Sequence, residues 1–101
     1  MHCRNITDAG LAHLAALKQL KEINLRYTRV TDEGLKSLST LPRLQKVWLL
    51  NTDITDEGLQ HLTKCPSVRK IVIFGTRTTS EGIKQFKQAM PDCKVDTSNY
   101  E

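Results

Sequence analysis

Histidine, cysteine and a recurring aspartate are the residues through which this chain could do chemistry. His13 and His61 are the obvious metal-binding pair, but they occupy equivalent positions two repeat units apart on the helical side. With a helix diameter of about 10 Å, roughly 20 Å should separate them, so they cannot share an ion. Cys3, Cys65 and Cys93 lack the C-x-x-C spacing of a zinc or redox site, and their odd number argues against a disulfide framework. Cys65 takes the place of a leucine and reads as a small core hydrophobe. Neither Cys65 nor Cys93 has an adjacent histidine or a helix N-terminus that would mark a nucleophile, and Cys3, beside His2, is terminal. Asp8, Asp32 and Asp56 recur at helix starts, and such a row invites a cation hypothesis. Compensation of the helix dipole is a sufficient local role for each. No glycine-rich phosphate loop, Gly-x-Ser-x-Gly elbow or His-Glu-x-x-His occurs. The expectation is therefore a chain with no catalytic residues, no metal and no cofactor.

The elements that position these residues follow from a repeat. Gly10, Gly34, Gly58 and Gly82 fall at a constant spacing and divide the sequence into units 6–29, 30–53, 54–77 and 78–101. Their recurrence as a column suggests close approach at the entry to each helix rather than phosphate binding. An apolar ladder keeps register through the first three units: Ile6, Val30 and Ile54; Leu11, Leu35 and Leu59; Leu14, Leu38 and Leu62; Leu17, Leu41 and Cys65; Leu20, Leu44 and Val68. The fourth unit follows with Ile83 and Phe86 and then drifts, as a C-terminal cap would. Within a unit, Leu35, Leu38 and Leu41 recur at helical spacing behind Thr31 as N-cap, with Asp32 and Glu33 in the first turn. Pro42 and Pro66 are expected to end their helices. The following Lys46-Val47-Trp48-Leu49-Leu50 is β-branched and aromatic with strand alternation. Each unit thus reads as one helix followed by one strand, and the whole of 1–101 as a single domain.

The segments Leu20-x-x-Ile23-x-Leu25-x-x-Thr28, Leu44-x-x-Val47-x-Leu49-x-x-Thr52 and Val68-x-x-Ile71-x-Ile73-x-x-Thr76 resemble the leucine-rich repeat consensus, with Thr where Asn or Cys is usual. The Val-Thr-Asp-Glu-Gly-Leu pattern is similar to the helix-containing subclass: ribonuclease-inhibitor-like and GALA-type repeats, and bacterial proteins of planctomycete type. The resemblance implies an α/β solenoid, a right-handed β-α superhelix with a parallel sheet on its concave face and helices on its convex face. It also implies a non-enzymatic scaffold that binds a macromolecular partner. Met1 to Asn5 aligns with a strand end, so the chain starts in mid-repeat.

Alternation along each strand sends Ile23, Leu25, Val47, Leu49, Ile71 and Ile73 into the core and their neighbours to the concave face. Those neighbours form rows: Glu22, Lys46 and Lys70; Asn24, Trp48 and Val72; Arg26, Leu50 and Phe74. Trp48, Leu50, Val72 and Phe74 are large apolar residues at positions assigned to solvent, with Tyr27 beyond them and Lys46, Lys70 and Arg26 as a basic rim. A patch of that composition has the makeup of a protein interface, where Trp, Tyr and Arg anchors dominate. The competing reading is that these side chains pack on one another or on a flanking segment.

A net charge of +4 is too small to imply nucleic acid by itself. Arg43, Lys46, Arg69, Lys70 and Lys94 make one edge basic, which keeps polyanion binding as an alternative. One Trp and no interleaved aromatics give base stacking little support, so nucleic acid ranks below protein. A purely structural, self-assembling repeat fragment is a further alternative. The strand around Ile23 to Leu25 has an unpaired edge, and a homodimer through it would be the simplest closed assembly. No stretch is apolar enough for a membrane span. With unpaired cysteines and no leader-like segment, the expected setting is cytoplasmic.

Overall fold

The computed structural model describes residues 6–97. Four helices alternate with four strands: α1 Asp8–Leu14, β1 Glu22–Asn24, α2 Asp32–Leu38, β2 Lys46–Trp48, α3 Asp56–Leu62, β3 Lys70–Val72, α4 Ser80–Ala89 and β4 Lys94–Asp96. The strands form one parallel sheet in chain order, and the register keeps the sequence period, with Ile23 beside Val47, Val47 beside Ile71 and Ile71 beside Val95. The helices stack in the same order, each on its sequence neighbour. This is the α/β, solenoid-like architecture that the repeat implies. Met1 to Asn5, including Cys3, and 98–101 at the end of the fourth unit lie outside the described residues.

The expected division of strand side chains holds. Ile23, Leu25, Val47, Leu49, Ile71 and Ile73 are all buried in one core with Leu35, Leu38, Leu41, Leu44, Leu59, Leu62 and Val68. Strand pairing also runs past the strand ends: Leu25 N–H donates to Trp48 O, and Tyr27 N–H to Leu50 O, each at 2.9 Å. After each of the first three strands the chain turns through the left-handed region at one repeat position, Tyr27 (φ 59°), Asn51 (φ 56°) and Gly75 (φ 70°). The consensus threonines fasten this turn. Thr28 Oγ1 donates to Leu25 O at 2.7 Å, and Thr52 Oγ1 to Leu49 O at 3.3 Å, both buried.

Two expectations about the helices are corrected. Proline does not end them: α2 and α3 stop at Leu38 and Leu62, short of Pro42 and Pro66, and α1 stops at the equivalent Leu14 with Lys18 in the proline's place. All three helices stop at the same repeat position; after α2 and α3 hydroxyls take carbonyls of the last turn, Ser39 donating to Lys36 O, Thr40 to Ser37 O and Thr63 to Gln60 O, whereas α1 ends in the same place with Ala15 and Ala16. Nor does the Thr31 side chain cap its own helix; its hydroxyl goes to Asp8 in the preceding unit.

That bond belongs to a motif repeated three times. Asp8 accepts from Thr31 N–H at 2.8 Å through Oδ1 and from the Thr31 hydroxyl at 2.5 Å through Oδ2. Asp32 does the same for Thr55, and Asp56 for Thr79. The carboxylate lies against the glycine of the next helix. A Cβ on Gly34 would stand 2.5 Å from Asp8 Oδ1, 2.8 Å from Leu11 Cδ1 and 2.9 Å from Val30 Cγ1. The aspartates thus do more than compensate a dipole: each clasps the first turn of the following unit. The recurrent Thr-Asp-x-Gly string carries both halves of this clasp, and only the spatial partner, one unit on, was hidden.

Candidate interaction surface

The outer face of the sheet is built from the residues that alternate with the core ladder. Pairing sets Glu22, Lys46, Lys70 and Lys94 in one row and Asn24, Trp48, Val72 and Asp96 in the next. A third row, Arg26, Leu50 and Phe74, follows from the hydrogen bonds that continue the pairing.

The eight residues expected to form a binding patch fall in these rows but differ in access. Tyr27 is 66% exposed and Arg26 is exposed, while Trp48, Leu50, Lys46 and Lys70 are half-buried. Val72 and Phe74, expected to face solvent, are buried at 9% and 8%. Val72 is flanked in register by Trp48 on one strand and Asp96 on the other. At the roughly 4.8 Å spacing of adjacent strands, the Trp48 indole on one side and Asp96 on the other leave the valine little access. The accessible apolar surface is accordingly centred on Tyr27, Trp48 and Leu50, with Val72 and Phe74 as its floor.

Tyr27 is the most informative of them. Asparagine and glycine, at the equivalent Asn51 and Gly75, tolerate a positive φ, but an aromatic side chain does so at a cost of about 1–2 kcal/mol. The same ring is among the exposed large hydrophobics, so it does not recover that cost by burial in the core.

The basic edge is also sorted by the structure. Arg43 Nη1 donates to Gln19 Oε1 at 2.7 Å, and Arg69 Nη1 to Pro66 O at 2.6 Å, so both serve the scaffold. Lys46 pairs with Glu22 at 3.9 Å, with both side chains about half exposed. A pair that open to solvent contributes little to stability.

The residues considered for chemistry stay apart. Cys65 Sγ donates to Leu41 O at 3.4 Å, and burial pushes its thiol up. Burial also raises the Cys93 thiol, partly offset by the Arg69 guanidinium. A raised thiol holds little thiolate at neutral pH and is a poor nucleophile. Among the described residues no group of three or more His, Cys, Asp or Glu stands close enough to hold a metal ion. No helix among them is long and apolar enough to cross a membrane.

Comparison with known proteins agrees with this geometry. The family model described as leucine-rich repeat matches residues 18–39, which take in β1 and α2. No curated protein matches the sequence. Among solved structures, a leucine-rich repeat protein of Leptospira interrogans aligns with a TM-score of 0.59 at 16% identity. The alignment covers 85% of this chain and 27% of that one, so the chain spans about a quarter of that protein's length. The likeness is one of fold: alternating helices and parallel strands in a single sheet.

Proposed function

We propose that this chain is a non-enzymatic protein-binding scaffold, of the ribonuclease-inhibitor-like type, that receives its partner on the outer face of the parallel sheet. The observation that carries the reading is Tyr27, an exposed aromatic held at positive φ on the rim of that face. Backbone strain of this kind persists where the side chain has a use. Trp48 and Leu50 continue the apolar surface on the next strand, and Arg26 and Lys46 border it. Buried aromatic and arginine anchors inside a polar rim are the usual makeup of a protein interface. The face carries no histidine, cysteine or serine among the described residues; its titratable groups are lysine, arginine, Tyr27, Glu22 and Asp96.

The test is a randomised peptide library panned on the whole chain, followed by binding of the enriched peptides to single variants. Trp48→Ala and Tyr27→Ala should each weaken binding by about 2 kcal/mol or more if they are central anchors. Lys36→Ala, on α2, should leave it unchanged. Peptides that bind both aromatic variants as tightly as the parent would contradict the proposal.

A further inference from the structure

Lys46, Lys70 and Lys94 are direct neighbours on three consecutive parallel strands. Each begins its strand, and each alternates with a residue of the core ladder, Val47, Ile71 or Val95, so all three side chains stand on the outer sheet face. Like charges set side by side on adjacent strands repel. Glu22 relieves only the first, at 3.9 Å from Lys46. No hydrogen bond or ion pair joins the side chains of Lys70 and Lys94 to another described residue. Acidic residues of the repeat gather elsewhere, at the helix starts: Asp8, Asp32, Glu33, Asp56, Glu57 and Glu81. Most of the acidic charge thus lies on the helix side, and the sheet side holds a cationic row directly beside Trp48 and Val72, bordered by Glu22 at one end and by Asp96 in the next row at the other.

We infer that Lys46, Lys70 and Lys94 form a rail that captures an extended acidic peptide segment of a protein partner, laid across the strands with its carboxylates on the lysines and its apolar residues toward Trp48. The inference rests on the sheet face being the binding face, and adds to it the chemistry of what binds. Several carboxylates on one extended strand match several ammonium groups on one row, and the apolar neighbours suit a peptide that alternates acidic and apolar residues. A nucleic acid would use the same charges, but the rail lacks the row of stacking aromatics that single strands favour.

The chain has one tryptophan, Trp48, in the row next to the rail, so its fluorescence reports occupancy directly. The probes are a heptapeptide alternating Glu and Leu, its Gln-for-Glu counterpart, and an oligodeoxythymidylate of similar length. The Glu peptide should bind saturably, the Gln peptide at least tenfold more weakly, and the oligodeoxythymidylate more weakly than the Glu peptide. Lys70→Glu and Lys94→Glu should each weaken the Glu peptide by about tenfold, as loss of a close charge pair does. Lys64→Glu, which changes net charge equally but lies outside the rail, should change it by less than about twofold, as screening of a distant charge allows. Lys70→Glu should also raise the melting temperature, because it replaces repulsion from Lys46 and Lys94 by attraction, and the gain shows that lost binding is not lost fold. Equal effects of Lys70→Glu and Lys64→Glu would overturn the rail, since net charge alone would then explain binding. Tighter binding of the oligodeoxythymidylate would overturn the peptide assignment in favour of nucleic acid. Library peptides that need Trp48 and Tyr27 but ignore the lysines would overturn the rail while leaving the sheet face as the binding face.

Discussion

A tyrosine at φ 59° separates the demands of folding from those of binding. Asparagine occupies the equivalent turn at Asn51 without a Cβ-branched or aromatic penalty, so Tyr27→Asn should relieve strain. The expected outcome is a gain of about 1 kcal/mol in a thermal or denaturant melt, together with weaker binding of any peptide that uses the sheet face. A neutral or destabilising Tyr27→Asn would show that the turn, and not its partner, selects the ring. The neighbouring strand gives a second contrast. Leu49→Ala removes a fully buried side chain and should cost about 2–5 kcal/mol, whereas half-buried Trp48→Ala should cost far less. Alternation made that division readable in the sequence, and every inward residue of the three strands is where alternation places it. The burial of Val72 and Phe74 was not readable, because it depends on what stands beside them on neighbouring strands and not on their own face of the strand. The strain at Tyr27 was equally hidden: its type alone does not reveal φ, although its alignment with Asn51 and Gly75 was a usable signal.

Helix and strand are joined into a stack by the aspartate clasp. In Asp32→Ala both hydrogen bonds to Thr55 are lost, one to a backbone N–H and one to a hydroxyl, and a cost of about 1.5–3 kcal/mol follows for bonds to a charged acceptor. Asp32→Asn keeps the shape and should cost less. Gly34→Ala tests the other half of the clasp, since the added methyl meets the Asp8 carboxylate, Leu11 and Val30 at once. Overpacking of that kind costs about 1–3 kcal/mol, and equal melts for Gly34→Ala and the parent would show that the units can separate without loss. The glycine column was legible as a sign of close approach; its partner was not, because the contact is made with the preceding unit. The fourth unit carries Ser80 where the others carry aspartate. Lys84, Gln85, Lys87 and Gln88 of α4 are exposed.

At the scale of the whole molecule the repeat made the architecture legible, since a fixed period with two internal periodicities admits few arrangements other than a stack of helix-strand units. Its period says nothing about partners, and the binding reading rests on the few positions where the outer rows depart from small or polar residues. Self-association through β1 is the remaining proposal at this scale. Among the described residues β1 is the outermost strand, and its outer side is partly closed: the N–H groups of Leu25 and Tyr27 go to β2, so that of Arg26 points off the sheet, and Asn24 Oδ1 accepts it at 3.1 Å. Asn24→Ala should therefore increase any dimer population seen by light scattering, by freeing a donor on the edge strand. The central claim, that the outer sheet face receives the partner, is most directly tested by backbone amide chemical shifts of the labelled chain titrated with a bound library peptide. The account predicts perturbations confined to 22–27, 46–51, 70–75 and 94–96, with the amides of α1, α2 and α3 unmoved; a map centred on those helices, with Tyr27, Trp48 and Leu50 silent, would contradict it.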